Sequence, residues 1–232
     1  MPVIAIDGPS GAGKSSVSRG IALRGGWGYL DTGALYRGST WLALQAGVSA
    51  PEEVANLVAK SNLNFNLSAS DPKLIANYPL EQESKKDISE IIREELITNA
   101  VSAFSAMPEV RRELLLLQRD LIEKSKSQFG GAVVEGRDIG TTVWPDAELK
   151  IYLTADVDAR ATRRQAQLSE LSDVSASSVA DSLAKRDAID SMRAASPLRQ
   201  SEDQIVLDAT YLNLEETIQA LWNLIEERKI NG

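Results

Sequence analysis

The chain contains neither cysteine nor histidine, and these two absences restrict its chemistry. Without cysteine, disulfide bonds and thiolate catalysis are excluded. Without histidine, a Ser-His-Asp triad, histidine general-base catalysis and the usual zinc sites are excluded. Lysine, arginine, carboxylates, hydroxyl groups and a metal ion held mostly by phosphate remain. Phosphoryl transfer fits this inventory, because it depends on positioning and charge neutralisation more than on a nucleophilic side chain.

The sequence also lacks any apolar run of about 18 residues, the length of a membrane-spanning helix. It begins with a strand-like segment and has no basic leader, so we expect a soluble, cytoplasmic protein with no membrane partner. A formal net charge of −8 over 232 residues argues against a nucleic-acid partner held by a broad basic surface. Clustered arginines can still form a locally positive pocket for a small anion. We expect a monomer.

The most informative motif lies in the first fifteen residues. An apolar segment, Val3–Asp7, leads directly into G-x-x-x-x-G-K-[ST], the P-loop pattern, and a helical pattern follows. Bare backbone N–H groups and the positive end of the helix bind phosphate oxygens in such loops. Lys14 is predicted to reach the β- and γ-phosphates of ATP, and the Ser15 hydroxyl to bind Mg²⁺. The predicted ATP-binding loop residues are Gly8, Ser10, Gly11, Ala12, Gly13, Lys14, Ser15 and Ser16.

Apolar strands alternate with helical patterns along the chain, which indicates an α/β fold of the P-loop NTPase type. Strands are predicted at Val3–Asp7 and at 27–30, 132–134, 149–153 and 205–207, and they form a five-stranded parallel sheet flanked by helices. Helices are predicted at 34–46, 51–60, 88–104, 108–125 and 156–193, with a last one capped by Asn213. Alternating residues at 63–67 and an apolar segment at 74–76 predict a small hairpin outside the main sheet.

Ligands of parallel sheets bind beyond the carboxyl ends of the strands, so the loops that begin at Gly8, Asp31 and Gly136 are predicted to share one rim. A kinase must hold a second phosphate beside the γ-phosphate of ATP. Arginine suits this task because its planar fork binds phosphate oxygens bidentately. Arg37 and Arg137 follow strand ends on this rim and are therefore candidates.

Other charged residues leave two interpretations open. Arg160, Arg163 and Arg164 have i, i+3, i+4 spacing and share one helix face, which a solvated surface would also produce. Asp138 and Asp190 lie among cations. Each is either one half of an intramolecular ion pair or an acceptor for an exocyclic amine or a ribose hydroxyl. Sequence spacing does not decide between these roles.

Five segments, taken together, resemble the bacterial cytidylate kinase family. They are DTGALYR at 31–37, EGRDIGT at 135–141, WPDA at 144–147, RATRR at 160–164 and KRDAIDSMR at 185–193. Their order and spacing match the family from residue 3 to about 226. The resemblance implies an enzyme that transfers the γ-phosphate of ATP to CMP or dCMP, giving CDP or dCDP and ADP.

The resemblance also implies roles for individual residues. For CMP, it implies a phosphate clamp of Arg37, Arg137 and Arg193, cytosine readers Thr32, Arg111 and Asp138, and sugar contacts from Arg186 and Asp190. For ATP, it implies a mobile lid that carries Arg160, Arg163 and Arg164. The catalytic set is then Lys14, Arg137, Arg186 and Arg193, with Arg186 near the transferred phosphoryl group. Asp138 can accept from the cytosine 4-amino group and Arg111 can donate to N3 or O2, a pattern that uracil mismatches.

The expected organisation is a single nucleoside monophosphate kinase domain over residues 1–232. Its core comprises 1–60, 105–155 and 200–232, with a monophosphate-binding insertion at about 61–104 and a helical lid at about 156–195. The chain departs from the family pattern at 73–95, where the usual Asn-Gly-x-Asp-Val and Ile-Arg-Thr are replaced by IANYP and IRE. We therefore expect the insertion to be present but altered.

Two alternatives share the P-loop. One is another small P-loop kinase, of the thymidylate or shikimate type. The other is a P-loop ATPase switch or motor, although a guanine-reading Asn-Lys-x-Asp is absent. Dependence of ATP turnover on the monophosphate distinguishes a kinase from a motor.

Overall fold

The computed structural model of the chain describes residues 1–77, 85–168, 176–192 and 197–230. The strands in chain order are β1 (Val3–Asp7), β2 (Gly28–Asp31), β3 (Asn64–Asn66), β4 (Lys73–Asn77), β5 (Lys85–Asp87), β6 (Ala132–Glu135), β7 (Leu149–Thr154) and β8 (Ile205–Asp208). The helices are α1 (Lys14–Gly25), α2 (Thr32–Ala46), α3 (Pro51–Lys60), α4 (Glu95–Ser105), α5 (Pro108–Phe129), α6 (Val157–Leu168), α7 (Ala176–Met192) and α8 (Leu214–Glu227).

The main sheet has five parallel strands in the order β2-β6-β1-β7-β8. The central strand β1 pairs Ile4 with Val133 on one side and with Leu149 on the other. All five residues of β1 are buried, as expected for a parallel strand covered on both faces. The predicted five-stranded parallel sheet is therefore confirmed, and the carboxyl ends of its strands form a common edge.

Helices pack closely against the main sheet and against one another. Helix α1 contacts α8, and α5 contacts β2 and β6. Gly20 of α1 allows the approach of α8, because a Cβ atom there would lie 2.4 Å from Ile218 Cδ1. Asn213 begins α8 as a reciprocal cap: its side chain accepts from Glu216 N at 3.0 Å, and the Glu216 carboxylate accepts from Asn213 N at 2.8 Å.

A second, antiparallel sheet contains β3, β4 and β5. The predicted hairpin is its first two strands, which place Phe65 opposite Leu74. The third strand, Lys85–Asp87, was not predicted, because its three exposed polar residues show no apolar alternation. The sheet therefore extends the hairpin by one strand that only tertiary pairing reveals.

The predicted helix at 88–104 is wrong over its first seven residues. Ile88 N donates to Leu74 O at 2.9 Å and so continues the sheet, and a 3-10 turn, Ile91–Arg93, follows. Glu94 then adopts an extended conformation, with φ −57 and ψ 153, before α4 begins. Ile88 and Ile92 have the i, i+4 spacing of a helix, which explains the wrong prediction. Both side chains are buried because they anchor a turn in the core.

The predicted helical segment at 156–193 consists of α6 and α7 where it is described. The serine-rich residues 169–175 between them lie outside the described residues, as do 78–84 of the departing segment. Among the helices that are described, none is both long and apolar enough to cross a membrane.

Candidate active site

A cleft of about 820 Å³ opens at the carboxyl edge of the main sheet. The loop after β1 lines it together with Asp31 and Thr32 at the end of β2, and with residues 135–138 at the end of β6. Residues of α6, α7 and the start of α8 line it as well. The three loops that the sequence predicted to share a rim therefore do open into one cleft.

The loop after β1 has a shape that requires glycine. Gly8 has φ +146, and a Cβ atom there would lie 2.0 Å from the carbonyl oxygen of Leu153. Gly11 and Gly13 also have positive φ, at +78 and +91. Gly13 is the residue before α1, so the N–H groups at the start of that helix point into the loop. This geometry suits an anion.

Lys14 lies against the loop that it follows. Its Nζ donates to Gly8 O and to Pro9 O, each at 2.9 Å. Burial, followed by the neighbouring charge of Arg137, lowers the pKa of Lys14 to about 7. An anion beside Nζ would stabilise the charged form of Lys14. We therefore expect an approaching phosphate to raise the pKa of this lysine.

Arg137 joins the same loop to helix α7. Its guanidinium donates to Gly8 O, to Ser10 Oγ at 2.6 Å and to Asp190 Oδ2 at 2.9 Å. The Arg137–Asp190 pair is partly exposed at the cleft. Of the two roles that the sequence left open for Asp190, the structure shows the intramolecular ion pair, with Arg137.

The three arginines of α6 separate into two groups. Arg160 is 7% exposed and does not line the cleft, since it donates to Ser10 O at 2.9 Å and to Asp187 Oδ2 at 2.5 Å. Asp187 Oδ1 accepts from Ser10 N at 2.9 Å, so both α6 and α7 are tied to the P-loop. Arg163 and Arg164 line the cleft. The role of Asp187 was not predicted, because nothing in its spacing distinguishes it from other carboxylates on α7.

The opposite end of the cleft holds a buried ion pair. Arg111 Nη2 donates to Asp138 Oδ2 at 2.5 Å, and both side chains are at most 8% exposed. Arg111 also donates to Ser105 O at 3.2 Å, and its Cζ lies 5.2 Å from the centroid of the Tyr36 ring. The Arg111 guanidinium is therefore held by a carboxylate, a carbonyl oxygen and the face of an aromatic ring.

Two more predicted residues lie near this end. Thr32 is buried and donates from Oγ1 to Glu135 O at 2.8 Å. Arg37 lines the cleft and donates to Ile92 O at 3.1 Å and to Thr98 Oγ1 at 2.8 Å. The turn at Ile92 belongs to the segment 73–95, where the chain departs from the family pattern, and Thr98 follows that segment on α4.

The structure does not describe the side chains of two predicted site residues. Arg193 lies outside the described residues, and so does the side chain of Arg186. The backbone of α7 passes through position 186, between Asp187 and the start of the helix. Their predicted roles remain predictions.

Two buried carboxylates at the strand ends were missed. Glu135 accepts from Ser15 Oγ at 3.0 Å and from Tyr29 OH at 2.5 Å, and burial raises its pKa to about 7. The available signal was a carboxylate that ends a buried apolar strand beside a P-loop. Its neighbour Ser15 offers a hydroxyl oxygen, and oxygen donors of this kind suit Mg²⁺.

The second missed carboxylate, Asp7, is fully buried at the end of β1. It accepts from Ile139 N at 2.8 Å, Gly140 N at 2.9 Å and Gln204 Nε2 at 2.9 Å. Burial raises its pKa to about 6, against 3.8 ordinarily. Asp7 thereby fixes the turn that follows Asp138. It was missed because it reads as the last residue of an apolar strand.

Comparison with known proteins covers nearly the whole chain. The model of the family described as cytidylate kinase matches residues 4–227. A cytidylate kinase of Streptomyces griseus is 45% identical over 98% of this chain and 94% of that protein, and one of Streptococcus pneumoniae is 42% identical over 97% of each. A solved structure of an uncharacterised Eubacterium ventriosum protein superposes with a TM-score of 0.53 at 12% identity, covering 97% of this chain and 98% of that chain, which concerns the fold alone.

Proposed function

The chain belongs to the cytidylate kinase family, and from this we propose that its cleft transfers the γ-phosphate of ATP to CMP or dCMP, giving ADP and CDP or dCDP. The observation that carries the choice of acceptor is the buried Arg111–Asp138 pair. We call this pair, together with Tyr36, the base end of the cleft. Thymidylate-type and shikimate-type kinases and a P-loop switch would share the loop after β1, but they lack the support of the family match.

The base end recognises cytosine by polar complementarity. Asp138 accepts from the 4-amino group, while Arg111 donates to N3 or O2 and Tyr36 supports the guanidinium plane. Uracil presents a carbonyl oxygen and an N–H at the corresponding positions. Both partners of the pair would then face a group of the same kind, and buried polar mismatches of this sort give strong discrimination. Thr32, the third proposed reader, is positioned through Glu135 O.

The phosphate end holds the reacting groups in line. Arg37 and Arg137 line the cleft and clamp the CMP phosphate, with Arg193 as the third member and with Arg186 and Asp190 at the sugar. The ATP phosphates lie against the loop after β1. Lys14 leaves the carbonyl oxygens of Gly8 and Pro9 to meet them, as transition-state charge develops on the transferred group. The loop residues proposed for ATP are Gly8, Ser10, Gly11, Ala12, Gly13, Lys14, Ser15 and Ser16.

We also propose Mg²⁺ as the metal that accompanies ATP. No cluster of three or more carboxylates, histidines or cysteines exists among the described residues, so phosphate and water would supply most ligands. The Ser15 hydroxyl would bind the ion, and Glu135, 3.0 Å from that oxygen, would orient it. When bound, the metal would neutralise negative charge on the ATP phosphates.

The three-part organisation is proposed on the same basis. The core carries the main sheet, the insertion at about 61–104 carries the antiparallel sheet, and the lid at about 156–195 carries α6 and α7. Arg160, Arg163 and Arg164 attach the lid to ATP or to the loop that holds it, and closure would exclude water and suppress ATP hydrolysis. We also propose that the enzyme acts as a monomer, in the cytoplasm.

A panel of acceptors tests the proposed function. Transfer from ATP and Mg²⁺ is measured with CMP, dCMP, UMP, AMP and dTMP in a coupled assay of ADP release. We expect CMP and dCMP to be the best acceptors and ATP turnover to be negligible without an acceptor. A clear preference for UMP, AMP or dTMP over both cytidine nucleotides would contradict the assignment of the base end.

A further inference from the structure

Arg93 of the insertion lines the cleft and has no role in the function described so far. It ends the 3-10 turn Ile91–Arg93, and its side chain is exposed. The preceding residue, Ile92, is 1% exposed and anchors the turn in the core. The turn therefore presents the Arg93 side chain to the cleft from a fixed point.

Hydrogen bonds tie this turn to Arg37, a member of the proposed phosphate clamp. Arg37 Nη1 donates to Ile92 O at 3.1 Å and to Thr98 Oγ1 at 2.8 Å. The Thr98 hydroxyl is also 3.3 Å from Arg93 O. Arg37 and the backbone of Arg93 thus share one partner, Thr98, and Arg37 also donates to the carbonyl of the residue before Arg93. A phosphate bound by Arg37 therefore lies on the side of the cleft from which Arg93 extends.

A second cation faces Arg93 from the lid. Arg164 on α6 lines the cleft, and its pKa is lowered by burial and then by the charge of Arg93. Two like charges from separate elements repel each other across a cleft, and an anion between them removes that cost. Among the described residues, no ion pair involves Arg93, whereas Arg111 and Arg137 each have a carboxylate.

We propose that Arg93 is a further binding residue for the acceptor, and that its guanidinium contacts the phosphate group of CMP beside Arg37. This inference rests on the proposed function, because it takes the acceptor to be a nucleoside monophosphate. It assigns the altered insertion a direct part in the chemistry: the insertion brings a cation to the phosphate, opposite the cation brought by the lid.

The test compares Arg93→Ala and Arg93→Lys with wild type and with Arg228→Ala, an arginine after α8 that does not line the cleft. We expect Arg93→Ala to lower kcat/KM for CMP by about 10- to 100-fold, the range of one charge-assisted hydrogen bond. Arg93→Lys should recover part of this loss, because it keeps the charge without the fork. Arg228→Ala should match wild type.

Cytidine separates phosphate binding from a structural effect, because it has the base and sugar of CMP without the phosphate. As a competitive inhibitor, it should bind Arg93→Ala as well as wild type. An Arg93→Ala enzyme within twofold of wild type on CMP, or one that loses cytidine affinity as strongly as CMP affinity, would overturn the proposal. A wild-type enzyme that does not phosphorylate CMP would contradict the proposed function itself, so the two failures are distinguishable.

Discussion

Lys14 at the phosphate end of the cleft and Arg111 at its base end are held in different ways. At the phosphate end, Lys14 donates to Gly8 O and Pro9 O, and carbonyl oxygens hold it without neutralising its charge. At the base end, Arg111 is paired with the carboxylate of Asp138 and is close to neutral as a unit. The first arrangement leaves an ammonium group whose charged form an approaching phosphate would stabilise. The Arg111–Asp138 pair leaves a pattern of donors and acceptors. We therefore expect the phosphate end to govern the rate of transfer and the base end to govern selectivity between nucleotides.

Replacing Lys14 by alanine should have the largest effect and test the phosphate end. The variant loses a cation that stabilises charge developing in transfer, so kcat should fall by a factor equivalent to about 3 to 4 kcal/mol. The preference for CMP over UMP should not change. Steady-state kinetics with both acceptors measures this, with Lys60→Ala, at the exposed end of α3, as the control. A tenfold or smaller loss of kcat would break the distinction between the two ends.

Asp138→Asn should have the next largest effect, and it tests the base end. The amide keeps the shape of the side chain but can present an N–H₂ donor where the carboxylate only accepts, which suits the uracil O4. We expect KM for CMP to rise and the CMP-to-UMP preference to fall, each by a factor worth about 2 kcal/mol.

Asp120→Asn, an exposed carboxylate on α5, is the matched control for this change. Competition between the two acceptors in one reaction gives the preference directly. If Asp138→Asn keeps the wild-type preference, the base end does not read the base through this carboxylate.

Asp187→Asn sharpens the comparison by weakening the link between helices α6 and α7 and the phosphate end. Asp187 accepts from Ser10 N and from Arg160, and the amide loses the charge in both contacts. We expect KM for ATP to rise by a factor worth about 1.5 kcal/mol, while KM for CMP stays within twofold. The control is Asp181→Asn, an exposed residue of the same helix. An equal rise in both KM values would mean that the link serves the whole cleft.

The smallest expected effect concerns Asp7, which connects the P-loop strand to the turn after Asp138. Its pKa is raised to about 6 in the folded protein, against 3.8 ordinarily, so the folded state binds more protons than the unfolded state between these values. The resulting stabilisation is present near pH 4 and is lost as the pH rises through 6.

Asp7→Asn removes this titration. Relative to the variant, wild type should therefore gain about 1 kcal/mol of unfolding free energy between pH 7 and pH 5. Denaturant unfolding of both proteins at the two pH values measures the difference. A difference that does not change with pH would show that the Asp7 carboxyl does not titrate in this range.

The sequence predicted most completely the features that depend on neighbouring residues. The P-loop, the five apolar strands and the Asn213 cap are each encoded within a few residues, and the structure contains all of these elements. Features that depend on distant partners were missed. The strand Lys85–Asp87 exists only because β4 pairs with it, and the burial of Arg160 follows from the packing of α6 on the loop after β1.

The same reason explains which site residues were found. Arg137 and Asp138 follow a strand end, so topology alone places them at the cleft, while the partner of Asp138, Arg111, lies on a different element. Spacing left the role of Asp138 open, and the role of Arg111 came from the family resemblance. Asp7 and Glu135 end apolar strands and look like core positions, although their carboxylates are the buried acceptors that shape both ends.

A crystal structure with CMP tests the division between the two ends most directly. The account predicts the CMP phosphate beside Arg37 and Arg137, and the 4-amino group of cytosine within hydrogen-bonding distance of an Asp138 carboxylate oxygen. A nucleotide whose base lies away from Arg111 and Asp138, or whose phosphate lies far from Arg37 and Arg137, would contradict it.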